Sequence, residues 1–154
     1  VDGVRVRITN LLGVAFMDEE VNSPYLTLLN ILSEDDSDIH IVDYHAEATG
    51  EKQGFGYAFD GQVSAIIGTH THVQTNDAHI LENGTGYISD VGMCGFSQGI
   101  LGFEKNSVMK KTLFGQMSKF DLPAEGPALF NAVVLDIDEM TGKCIEIFTI
   151  NYRE

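Results

Sequence analysis

Val63-Ser64-Ala65-Ile66-Ile67-Gly68-Thr69-His70-Thr71-His72 is a short apolar run that ends in two histidines one residue apart. Residues 63–67 are rich in β-branched side chains and too few for a helix, so they read as a buried strand. Successive residues of extended backbone alternate sides, so positions i and i+2 share one. On that rule His70 and His72 offer two imidazoles to one cavity just beyond a strand. In open α/β sheets, sites gather outside the carboxyl ends of the strands.

Working outward, residues 39–44 read as a second strand, with Ile41 and Val42 as its buried members, and His45 closes it. Between the two strands, residues 48–59 are helix-like, with Phe55 and Phe59 four apart, although Gly54 and Gly56 weaken the pattern. Asp60-Gly61 then makes a turn. This β-α-β order defines an α/β fold with strands between helical layers. Upstream, residues 3–9 alternate, with Val4, Val6 and Ile8 on one face and Arg5 and Arg7 on the other. Residues 11–16 are expected to continue into a paired strand. Ser23-Pro24 reads as N-cap and first residue of a helix through Leu26, Leu28, Leu29 and Leu32. The acidic stretch 34–38 ends that helix as a solvated loop. Downstream, Asn83-Gly84 is a turn before a strand at 87–89. Residues 92–102 form a glycine-rich loop, 104–114 a helix, and 128–137 with 143–150 a hairpin. No repeat or linker interrupts the chain, so its 154 residues suit one domain.

Lys and Arg total 9 against 23 Asp and Glu, a net charge of −14. Polyanion binding by electrostatics needs a basic face, and only Lys110 and Lys111 are adjacent. A nucleic-acid polymer is therefore excluded as partner, while a small phosphate ester is not, because bound cations reverse a local field. No apolar run reaches the roughly 20 residues of a membrane helix. Residues 1–7 lack the basic and apolar regions of a leader. The first residue is not Met, as in a piece of a longer protein. Cys94 and Cys144 form no C-x-x-C pair and suit a reducing cytoplasm as bystander thiols.

Imidazole is a preferred ligand of zinc, iron and related metals. His45, His70 and His72 are thus candidate metal ligands, or polar loop residues with no ligand. His40 and His79 stand alone, as surface or hydrogen-bonded residues. Asp43 shares a side with His45, either to hold the imidazole by hydrogen bond or as an ordinary strand-end carboxylate. Asp90 ends the strand before the glycine loop, with the same two options of supporting a ligand or capping the loop. Gly92, Gly95, Gly99 and Gly102 suit either phosphate contact by backbone N–H groups or tight turns. No G-x-S-x-G occurs, so a serine hydrolase has no support.

Three blocks carry a family resemblance: Asp43-Tyr44-His45-Ala46-Glu47-Ala48-Thr49, Gly68-Thr69-His70-Thr71-His72-Val73-Gln74-Thr75, and Tyr87-Ile88-Ser89-Asp90-Val91-Gly92-Met93. They resemble signature blocks of the YmdB family of bacterial calcineurin-like metallophosphoesterases, described as 2′,3′-cyclic-nucleotide 2′-phosphodiesterases. The resemblance runs from about Val4 to the end. It implies part of a four-layer α/β/β/α sandwich, with mixed sheets and two metal ions at the strand ends. The metals would be iron or manganese, or else zinc. His45 and His70 would match ligands of one metal and His72 a ligand of the other. A metal-activated hydroxide would cleave a small phosphodiester such as a cyclic nucleotide. The family's other ligands, an Asp, a bridging carboxylate and an Asn with a general-acid histidine beside it, belong to an N-terminal part whose motifs are absent. Residues 1–154 would then be the C-terminal part of one metallophosphoesterase domain, inactive alone. Two rival readings are a non-catalytic or split-protein partner module, and a single-zinc hydrolase with His45, His70, His72 and Glu47 as base. A homo-oligomer is compatible with the sequence.

Overall fold

The computed structural model describes residues 3–117 and 119–154. Val1 and Asp2, which open the segment read for a leader, lie outside them. The first sheet contains β1 (Val6–Leu12), β2 (Ile39–His45), β3 (Ala65–Thr69), β4 (His79–Ile80) and β5 (Gly86–Ile88), in the order β1-β2-β3-β5-β4. β1, β2, β3 and β5 run parallel, and β4 pairs antiparallel with β5 at the edge. Helix α1 (Pro24–Leu32) links β1 to β2, and α2 (Thr49–Ala58) links β2 to β3. After β6 (Gly95–Phe96) and α3 (Lys105–Phe114), the strands β7 (Ala128–Ile137) and β8 (Cys144–Arg153) close an antiparallel second sheet, β6-β7-β8. The fold is mixed α/β, as the β-α-β pattern predicts.

The Ser23-Pro24 reading holds in detail. Ser23 caps α1 through its side chain, with Pro24 in the first turn, where a missing N–H costs no helical bond. Leu28 of α1 and Phe55 of α2 are buried with Val42, Tyr44 and Ile66, and Phe55 stacks on Tyr44 at 4.0 Å between ring centroids. The two helices therefore cover one face of the sheet. Along β2 this buries His40, Val42 and Tyr44, so Val42 is core as expected but Ile41, on the opposite face, is only partly covered. Gly56 weakens α2 as a helix, yet packing requires it: a Cβ there would stand 2.8 Å from the Tyr87 ring.

Three expectations are corrected. The alternation in β1 is inverted, leaving Val6 and Ile8 exposed while the Arg7 side turns inward. Arg7 reaches Asp35 at 3.2 Å, and Thr9 Oγ1 lies 2.8 Å from His40 Nε2. Residues 11–16 make no second strand, because the amides of Val14 and Ala15 donate to the Glu51 carboxylate of α2. The glycine-rich loop contains β6, and β4 was not anticipated at all. Of the lone histidines, His40 is the buried, hydrogen-bonded kind and His79 the exposed kind. Both cysteines are free, Cys94 exposed and Cys144 buried. Among the described residues no helix is long and apolar enough to cross a membrane.

Candidate functional site

The site starts from register. β2 and β3 pair so that His45 lies opposite Thr69 and Asp43 opposite Ile67. Asp43 and His45 share a side of β2, as their spacing predicts, but they do not touch. The Thr69 hydroxyl stands between them, donating to Asp43 Oδ1 at 2.7 Å and lying 2.9 Å from His45 Nδ1. The other carboxylate oxygen of Asp43 accepts from Asn10 Nδ2 at 2.8 Å. A hydroxyl has a single proton, and this one is committed to Asp43, so Thr69 accepts from His45 Nδ1–H. This network assigns the tautomer and leaves the Nε2 lone pair of His45 directed outward.

That lone pair faces His70, whose Nδ1 is 3.0 Å away, with ring centroids 4.9 Å apart. On its far side His70 Nε2 lies 3.0 Å from Glu47 Oε2. His70 therefore has an acceptor at each nitrogen. One ring proton serves one of them, and a cation between the two imidazoles would serve the other. Two imidazole nitrogens facing each other are donors that suit zinc, iron or manganese, while Glu47 lies at the far nitrogen of His70 and orients that ring.

The extended-backbone argument that paired His70 with His72 is corrected. β3 ends at Thr69, and the backbone turns through φ of 119° at His70 and 67° at His72. His72 is exposed, and its Nδ1 lies 3.2 Å from the carbonyl of Leu101. A carbonyl only accepts, so Nδ1 carries the proton and Nε2 is open. No contact among the described residues joins the His72 ring to His45 or His70. Nor do three His, Cys, Asp or Glu side chains among them close round one point. His45 and His70 are brought together, and His72 borders the same end of the sheet beside the glycine loop.

Asp90 touches no imidazole and instead ties down the loops. It is buried with Lys52, whose Nζ is 2.9 Å from Oδ2. The same carboxylate accepts the Thr71 and Gly92 amides, each at 2.9 Å. Burial opposes its charge, but these hydrogen bonds prevail and hold the carboxyl below its ordinary value. Asp90 thus fixes the backbone between His70 and His72. Gly68 fixes the approach: a Cβ there would lie 1.7 Å from the carbonyl oxygen of Ser89, so only glycine lets β3 run this close to the chain leading into Asp90. Sequence reasoning missed Asn10, Thr69 and Lys52. Thr69 and Asn10 act through strand register, which one sequence does not display. A lysine in a helix normally reads as solvated.

These features define a mixed α/β protein with a histidine- and carboxylate-bearing site at the carboxyl ends of parallel strands. Residues 1–150 match the family described as YmdB-like protein, and the chain belongs to it. It is 39% identical over 148 residues to a Bacillus subtilis protein named 2′,3′-cyclic-nucleotide 2′-phosphodiesterase, covering 95% of this chain and 55% of that one. A solved structure described as a hypothetical protein from Thermus thermophilus matches with a TM-score of 0.93 and 36% identity, over 100% of this chain and 60% of that one. A Mycoplasma pneumoniae structure described as a novel phosphatase matches with a TM-score of 0.89 and 37% identity, over 96% and 53%. The chain spans about half the length of the curated relatives it matches.

Proposed function

We propose that these residues are the histidine-bearing part of a metal-dependent phosphodiesterase acting on small cyclic nucleotides or similar diesters. The observation that carries this is the polar chain from Asn10 through Asp43 and Thr69 to His45, then His70 and Glu47, at the ends of β2 and β3. It fixes one imidazole and leaves its Nε2 directed at the next. The names of the Bacillus subtilis and Mycoplasma pneumoniae relatives support the same chemistry.

In this reading His45 Nε2 and His70 hold one of two metal ions and His72 Nε2 takes part in holding the other. Iron, manganese or zinc, when bound, supplies positive charge to phosphate oxygens and acidifies water. The protein's own contribution is positional. Asp43 and Thr69 hold the His45 tautomer and ring plane. Glu47 orients His70, and Asp90 pins Thr71 so that the flanking histidines keep their turn. Neutral imidazoles do not balance two dications, and the family resemblance implies that the remaining anionic ligands and the general acid would come from residues beyond this chain. Those residues would also complete a four-layer α/β/β/α sandwich, of which 1–154 would be the C-terminal part.

The test is hydrolysis of 2′,3′-cyclic AMP by the full-length protein. Turnover should vanish with a chelator and return with manganese or iron. An absence of turnover with every one of manganese, iron and zinc overturns the reading in favour of a non-catalytic partner module.

A further inference from the structure

His72 borders two cavities. One, of about 260 Å³, has polar walls that include Gln74, Asn131, Asn151 and Arg153. The other, of about 440 Å³, is lined mainly by apolar residues, among them Met93, Phe96, Leu101, Phe103, Leu122 and Pro123. The second volume is in the range of small-molecule sites, which are mostly apolar and aromatic with a few polar groups fixing orientation.

The apolar cavity is held in shape by its surroundings. Ile100 and Phe103 pair back to back, their amides donating to each other's carbonyls at 2.9 and 3.0 Å. Between them Leu101 and Gly102 have φ of 51° and 89°. Positive φ at both central residues is the two-residue hairpin turn that normally selects Asn-Gly or Gly-Gly. Leucine is sterically strained in that backbone, and here its carbonyl meets His72 while the residue lines the cavity. Phe96 is clamped edgewise: a Cβ on Gly126 would come within 2.4 Å of its ring, and one on Gly99 within 2.9 Å. Phe103 rests on Phe120, with centroids 5.4 Å apart. Fixed aromatic faces give up little entropy when a flat partner stacks on them.

We infer that this cavity is the subsite for the planar base of the substrate, placed beside the phosphate by the Leu101 carbonyl that anchors His72. The inference rests on reading His72 as part of the phosphodiester site. It makes a base-bearing phosphoester the preferred substrate class over a sugar phosphate or alkyl diester. Apolar and aromatic walls do not offer the donors and acceptors that would read one base against another, so the preference is for a flat ring of any identity.

Methyl-resolved NMR on the full-length protein, with labelled Met and Leu, tests this using adenosine 3′-monophosphate and ribose 5-phosphate as probes. The nucleotide should shift the Met93 and Leu101 methyl signals, and ribose 5-phosphate should leave them in place. Loss of one stacking wall is worth about 1–3 kcal/mol, or roughly 5- to 150-fold in affinity. Phe96→Leu should weaken nucleotide binding by that factor without changing the affinity for ribose 5-phosphate. Met93→Ala, at a partly exposed position, should weaken it too and covers the case in which Phe96→Leu does not fold. Equal affinity for the two probes, or shifts confined to methyls outside the cavity, overturns the subsite. Hydrolysis of 2′,3′-cyclic AMP alongside that result would leave the phosphodiesterase reading standing.

Discussion

Thr69 is the residue on which the orientation of His45 turns. Its one hydroxyl proton goes to Asp43, so its lone pairs accept from His45 Nδ1, and Nε2 faces outward. Partners that orient a ligating imidazole typically affect metal affinity by about 10–100-fold. Thr69→Val keeps the shape and removes the relay, so it should weaken binding of manganese by about that factor in a metal titration. Thr69→Ser should restore most of the affinity, and an unchanged affinity in Thr69→Val would show that His45 is oriented some other way. His45 and Asp43 were legible from the sequence because each stands at a recognisable strand end. Thr69 was not, because the neighbouring histidine carries the motif and the threonine acts only through cross-strand register. His72 shows the converse. Its place just beyond a strand end was legible, but its geometry was not, since positive φ at His70 and His72 breaks the alternation on which the same-side argument depends.

At the scale of elements, Lys52 on α2 and Asp90 beyond β5 join the helical layer to the strand ends with a buried ion pair. Removing one partner strands the other's charge, at a typical cost of about 3–5 kcal/mol, so Asp90→Asn should lower the denaturant midpoint sharply at neutral pH. The pH dependence follows from the depressed carboxyl. In the unfolded chain Asp90 titrates near its ordinary value of about 3.9, and in the fold it titrates lower. Between those values the unfolded chain holds more protons, so this contribution is present above about pH 4 and lost as pH falls through the folded value. Thermal melts should show acid loss of stability in the wild type, shallower in Asp90→Asn, and a parallel pH profile would contradict the assignment. The start of α1 was legible because Ser23-Pro24 is a local signal. The face of β1 was not, because Arg7 and Thr9 find partners in Asp35 and His40 of other elements and leave Val6 and Ile8 outside.

For the whole molecule, the net charge of −14 and the strand-end site point the same way. In the proposed reading, a chain without a basic face gains its attraction for a phosphodiester from recruited cations. The β-α-β core was legible from periodicity, since its buried strands and amphipathic helices are local patterns. The way β8 packs back on β4 and β5 was not, because a hairpin's docking surface leaves no periodic trace. The central claim is that His45 and His70 together supply ligands to a resident metal. The measurement that bears on it most directly is elemental analysis of the full-length protein, purified under identical conditions as wild type, His45→Ala and His70→Ala, with circular dichroism to confirm folding. The wild type should carry about two equivalents of iron, manganese or zinc, and each variant should carry about one or fewer. Undiminished metal in folded His45→Ala and His70→Ala would contradict the claim and place the metal elsewhere in the molecule.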